Sequence, residues 1–198
     1  MDVYSEPAGN SGMIVARNQW LAQTVRFNTA GNLSAVELPL IRGADLPVNH
    51  LLLEVRPLNH NGTPSILIQT AKVIPAAQVG GFGGFLVVDL TEANVAVQAG
   101  SRLAFSLRTE AMLVGPQSDP FAWLAQAPGA YADGAGFVSN GSYGNESGWT
   151  EVGYDFGFRA YVTPIAIPEP APVALAVVAV AALAGCRGRG RTPAGGRR

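Results

Sequence analysis

Trp20-Leu-Ala-Gln-Thr-Val-Arg-Phe27, Thr29-Ala-Gly-Asn32 and Leu33-Ser-Ala-Val-Glu-Leu-Pro-Leu40 read as strand, turn and strand. In the first segment Leu21, Val25 and Phe27 alternate with Thr24 and Arg26, the period of two that puts one face of a strand on a core. In the second, Leu33, Ala35 and Glu37 are expected on one face and Ser34, Val36, Leu38 and Leu40 on the other. Pro39 has no amide proton to give a ladder, so this strand should end at an edge. A period of two on both sides of a Gly-Asn turn belongs to β structure and sets the fold class.

The same pattern recurs outward from this pair. Leu51-Leu-Leu-Glu-Val-Arg-Pro57 places Leu51, Leu53 and Val55 inward and Glu54 and Arg56 outward, and the turn-rich Asn59-His-Asn-Gly-Thr-Pro64 leads to a hairpin partner in Ile66–Val73. Gly80–Gly84 reads as a linker before Phe85–Leu90, and Arg102–Leu107 alternates again. From Gly115 to Gly153 the pattern loosens into Gly, Ser, Asn and aromatic residues; Asp155–Val162 then closes the series with Phe156, Phe158, Ala160 and Val162 on one face. Eight or nine short strands at this spacing, with no convincing amphipathic helix, predict an all-β antiparallel β-sandwich, jelly-roll-like, over residues 13–163. A closed barrel is the alternative.

Composition agrees. With 24 Gly, 14 Pro and only 14% charged residues, the chain suits a turn-rich β domain better than a helical one. Five of the 13 basic residues lie in the last twelve positions, which leaves eight against 14 acids, a balance of about −6 for the rest. Nucleic acid is therefore not expected as a partner. The one cysteine, Cys186, lies in an apolar run, so the domain has no disulfide to rely on and its core must hold the fold. Met1-Asp-Val-Tyr-Ser-Glu-Pro7 has neither a basic nor an apolar signal region, and residues 1–12 are read as an N-terminal segment whose signal peptide is missing.

The end of the chain departs from all this. Residues 164–170 form a Pro-rich linker containing Pro168-Glu169-Pro170, residues 171–186 are uncharged and apolar, and residues 187–198 carry Arg187, Arg189, Arg191, Arg197 and Arg198 with no acid. As a helix the apolar run reaches roughly 24 Å, against about 30 Å of bilayer hydrocarbon, and it is rich in weakly hydrophobic Ala. It is read as a single transmembrane helix, short enough to serve as a transient hold. The arginines should stay cytoplasmic, which gives an N-out, C-in topology. A last helix of the domain is the rival reading, but the prolines detach the run from what precedes it and no polar stripe makes it amphipathic. A GPI-type signal would end in the apolar run.

Pro-Glu-Pro, apolar helix and arginine cluster, in that order at the C-terminus, resemble the PEP-CTERM sorting signal of Gram-negative bacteria that make exopolysaccharide. The resemblance implies an exosortase-type processing enzyme as partner, cleavage near Pro168-Glu169-Pro170, and an initially membrane-anchored protein delivered to the envelope or outside the cell. The tail after Cys186 is longer than that pattern has, and the helix lacks its usual aromatic residues. Residues 13–162 also resemble a recurrent exported bacterial β-sandwich found with varied anchors, the choice-of-anchor type. The matching pieces are Leu21–Phe27, Leu33–Leu38, Thr63-Pro64, Val97–Gly100 and Asp155–Tyr161. That resemblance implies a binding or structural role with no shared catalytic residue.

Chemistry is thin elsewhere. The sequence holds no His-Glu-x-x-His, no cysteine pair, no Gly-x-Ser-x-Gly and no phosphate-binding glycine loop at a strand–helix junction, so no catalytic residue, metal centre or cofactor is assigned. His50 and His60 sit in turns. Glu37, Glu54, Asp89 and Glu92 fall on separate strands or strand ends, and no pair for glycoside hydrolysis stands out. Asp89, Glu92 and Asp155, at strand boundaries, are candidates for a structural calcium ion, with turn capping as the plainer reading. The aromatic loops, with Trp123, Tyr131, Tyr143 and Trp149 among Gly, Ser, Asn and Asp, suit carbohydrate contact, because sugar C–H faces stack on aromatic rings; capping the open ends of the sandwich is the plainer role. The expectation is an exported, non-enzymatic surface or matrix protein, structural or polysaccharide-associated. The alternatives are a hydrolase of extracellular polysaccharide and a permanently anchored single-pass binding protein.

Overall fold

Alternation along the chain translates into two antiparallel sheets. The computed structural model describes residues 1–5, 11–16, 19–43, 49–81, 83–109, 121–129, 131–140 and 148–165. The strands are β1 (Val3–Ser5), β2 (Gly12–Val15), β3 (Trp20–Arg26), β4 (Gly31–Arg42), β5 (Leu51–Arg56), β6 (Thr70–Ile74), β7 (Gly84–Asp89), β8 (Val95–Val97), β9 (Arg102–Thr109), β10 (Phe121–Gln126), β11 (Gly136–Ser139), β12 (Trp149–Val152), β13 (Asp155–Phe156) and β14 (Phe158–Pro164). One sheet runs β1-β14-β4-β10-β13, with β2 on β10 and both β7 and β8 on β4; the other runs β12-β11-β3-β9-β5-β6. Two 3-10 turns, Ala76–Gln78 and Thr91–Ala93, are the helical elements among the described residues.

The inner faces of both sheets enter one core. Leu33, Val36, Leu38, Phe156 and Phe158 come from the eight-stranded sheet, and Leu21, Val25, Leu51, Leu53, Phe105 and Leu107 from the six-stranded one. Phe105 of β9 meets Phe158 of β14 edge-on, with centroids 6.0 Å apart. Each such side chain contributes about 1.5–3 kcal/mol on burial, which is how a chain without disulfides holds together.

Four expectations change. β4 does not end at Pro39 on an edge but runs through it to Arg42 inside the sheet, with Pro39 opposite Phe85. Leu33 and Ala35 do not share a face: Leu33 pairs with Val162 and Ala35 with Tyr161, so Ser34 is an extra residue, a bulge. The bulge buries Leu33 on the same side as Val36 and Leu38 and turns Ala35 and Glu37 outward. The hairpin strand is Thr70–Ile74 alone, while Ile66, Leu67 and Ile68 precede it exposed. Glu54 and Arg56 do face outward from the core, but the Pro57–Gln69 connection returns over them, with Ser65 O accepting from Arg56 Nη1 at 2.9 Å.

Met1–Ile165 forms one compact unit. The Pro168-Glu169-Pro170 motif, the expected span 171–186 and Arg187, Arg189 and Arg191 lie outside the described residues. Among the described residues no helix is long and apolar enough to cross a membrane.

Candidate functional site

Two of the four aromatic residues offered for sugar contact, Trp123 and Trp149, are packed inside the protein, which corrects that expectation for them. Trp123 on β10 is fully buried; its ring stacks on Phe156 at 4.8 Å, and its Nε1 donates to Gly157 O at 2.8 Å. A ring enclosed on both faces offers nothing to a sugar. Trp149 on β12, 9% exposed, packs with Trp20, Ala22 and Phe137 in a second small cluster. Tyr131 stands edge-on to Phe158 at 5.2 Å, and its hydroxyl accepts from the Arg26 amide at 3.0 Å, fastening its loop to the end of β3. Burial pushes the Tyr131 phenol above its ordinary pKa. Tyr143 lies outside the described residues.

The calcium candidates divide. Asp89 and Glu92 line one small pocket of about 220 Å³ with Lys72, Thr70 and Leu90. Asp155 is elsewhere: β10, which carries β13, and β7, which carries Asp89, pair with opposite sides of β4 at Leu40. It is buried, with Oδ1 accepting from Gln23 Nε2 at 3.3 Å and Oδ2 from the Tyr131 amide at 2.7 Å. Among the described residues no three His, Cys, Asp or Glu side chains converge as a metal would need. His50 has a local partner as well, Nδ1 accepting from the Ala76 amide at 3.3 Å.

A different surface gathers polar groups. On the outer face of the eight-stranded sheet, Ala35 pairs with Tyr161 on one side and Asp89 on the other; one step along, Glu37 pairs with Arg159 and Val87. A shallow, open pocket of about 510 Å³ lies over Ala35, lined by Ser34, Glu37, Val87, Asp89, Thr91 and Tyr161. It exists because the one-carbon side chain of Ala35 stands between Tyr161 and Asp89, turned outward by the bulge at Ser34.

Its polar groups are fixed in place. Tyr161 donates its hydroxyl to Glu37 Oε1 at 2.9 Å, and Arg159 Nη1 reaches Glu37 Oε2 at 3.1 Å. Arg159 also lies 3.9 Å over the ring of Phe85. Asp89 Oδ1 accepts from the Thr91 amide at 2.8 Å. Hydrogen bonds from the Thr91 amide and hydroxyl hold the Asp89 carboxyl below its ordinary range. The bond to Glu37 raises the Tyr161 phenol above its own.

No protein-family model matches the chain, and no curated protein matches it. The site must therefore be read from its own chemistry. Acid–base cleavage of a glycoside needs one carboxyl that keeps its proton beside one that does not. Here Asp89 is held ionised and Glu37 accepts from a cation and a phenol, so the two carboxylates stand as hydrogen-bond acceptors. Sequence reasoning missed it because Glu37, Asp89 and Tyr161 lie far apart in the chain. The one local hint was Glu37 standing between the apolar residues Val36 and Leu38.

Proposed function

We propose that this chain is an exported, non-enzymatic surface or extracellular-matrix protein, sorted by its C-terminal signal and associated with polysaccharide. The observation that carries the reading is the tripartite order of the tail, Pro168-Glu169-Pro170, apolar run and arginine cluster, placed directly after an all-β unit that ends at Ile165. In this reading the two sheets form a jelly-roll-like sandwich. Residues 171–186 cross the membrane once, N-out and C-in, until an exosortase-type enzyme cuts near Glu169. The open pocket over Ala35 supports the association with sugar, since its acceptors and apolar walls match a hydroxyl-rich ligand.

The test is the intact mass of the mature protein from a host that carries the processing enzyme. A C-terminus in the Pro168–Pro170 region is expected, and Glu169→Ala should leave Arg198 in place. A wild-type protein that keeps Arg198 would replace sorting with permanent anchoring.

A further inference from the structure

We infer that the dip over Ala35, on the outer face of the eight-stranded sheet, is a glycan site that takes an uncharged, hydroxyl-rich sugar in preference to an acidic one. This rests on the polysaccharide reading above and gives it a place and a ligand class.

Shape comes first. The floor is Ala35 and the bulged backbone at Ser34, one wall is the Tyr161 ring, and another is Val87, which is 59% exposed. A sugar ring has an apolar C–H face and a rim of hydroxyls, so a tyrosine and a valine beside a one-carbon floor meet the first while carboxylates meet the second. The volume of about 510 Å³ lies in the range of small-ligand sites.

Charge selects among sugars. The lining residues include two carboxylates, Glu37 and Asp89, and no cation. Hydroxyl donors from a neutral sugar form charge-assisted hydrogen bonds with such acceptors. Glu37 is paired with Arg159, so the charge that a uronate would meet is chiefly that of Asp89, and like charges across an interface are costly.

The acceptors are also pre-set. Glu37 is held from two sides by Tyr161 and Arg159, and Asp89 by Thr91, so binding does not first have to order them. This separates the face from Trp123 and Trp149, whose rings are already used in packing.

Calorimetric titration of the full chain with a neutral gluco-oligosaccharide and with an oligogalacturonate tests the inference. Binding of the neutral ligand is expected, with the uronate at least about tenfold weaker. Asp89→Asn should weaken the neutral ligand about tenfold, the size of a lost charge-assisted bond. Ala35→Phe should abolish binding by filling the dip; Ala35→Leu serves if the larger variant melts early. Unchanged binding by both the Ala35 and Asp89 variants would overturn the site while leaving polysaccharide association standing. Equal or better binding of the uronate would overturn the selectivity. No binding of either ligand by wild type would remove both the site and the sugar association, whereas sorting is decided separately by the C-terminal mass. Calcium alone raising the melting temperature in wild type but not in Asp89→Asn would make this a cation site and overturn the glycan assignment.

Discussion

Glu54 and Arg56 stand two residues apart on one face of β5 and pair with each other out of contact with water, their side chains 1% and 0% exposed. Glu54 Oε1 also accepts from Arg108 Nε at 2.8 Å, while Ser106 Oγ lies 3.0 Å from Arg56 Nε. Breaking such a group by removing one partner leaves an uncompensated buried charge, which costs about 3–5 kcal/mol. Glu54→Ala should therefore lower stability by about that much in urea unfolding. The double variant Glu54→Leu, Arg56→Met should be less damaged than the single one, because the fully buried guanidinium leaves with its partner and only Arg108, whose side chain is 14% exposed, loses the Glu54 carboxylate. A single variant within about 1 kcal/mol of wild type would show the pair to be hydrated in solution.

Trp123 makes the next prediction. It is enclosed in the core and hydrogen-bonded to Gly157 O, so Trp123→Ala should cost about 3–5 kcal/mol, read as an earlier melting transition. Trp123→Phe should lose less, keeping the stack on Phe156 but stranding the Gly157 carbonyl. If Trp123→Ala melted with wild type and instead lost only sugar binding, the ring would be a surface platform after all.

How far the sequence foretold these sites depends on whether a property is local. Strand alternation is local, and Trp20–Arg26, Leu51–Arg56, Gly84–Asp89 and Arg102–Thr109 appear where the period of two puts them. A bulge is decided by the partner strand, so nothing in Leu33–Leu40 told that Ser34 would be skipped and Ala35 turned outward. Burial of Glu54 and Arg56 depends on where the Pro57–Gln69 connection lies, which alternation does not reveal. Aromatic residues between glycines read alike whether they cap a core, as Trp123 does, or face water. The Ala35 pocket joins β4, β7 and β14, a combination set by sheet order alone.

The Tyr161–Glu37 bond has a measurable titration. The bond raises the phenol above its ordinary value of 10.0, with burial and the negative charge of Glu37 adding to it. A proton held more tightly in the folded state gives stability that is complete below about pH 10 and is lost as pH rises through the elevated folded value. In a spectrophotometric titration one late-ionising tyrosine should disappear in Tyr161→Phe. Glu37→Ala should shift that tyrosine back down toward the ordinary range. A Tyr161 signal unmoved by Glu37→Ala would mean that the two side chains do not meet in solution.

Gln23 is a buried polar residue whose two ends both serve the opposite sheet. Its Oε1 accepts from the Phe156 amide at 2.8 Å, while its Nε2 donates to Asp155 Oδ1 at 3.3 Å. Gln23→Leu keeps the volume but strands an amide and a carboxylate oxygen, each worth about 1–3 kcal/mol when left unsatisfied. A loss of about 2–4 kcal/mol is expected. Gln23→Glu discriminates further, since it sets a second carboxylate against Asp155, and the nearby like charge should raise the pKa of the introduced glutamate in the folded state. A raised folded value means that stability is present below the unfolded value of about 4.3 and is lost as pH rises through the folded one. Melting temperatures of this variant and wild type should accordingly lie closest near pH 4 and diverge by pH 7. A constant gap between them across that range would show that the glutamate turns away from Asp155, and that the Gln23 amide is not what ties β13 to β3.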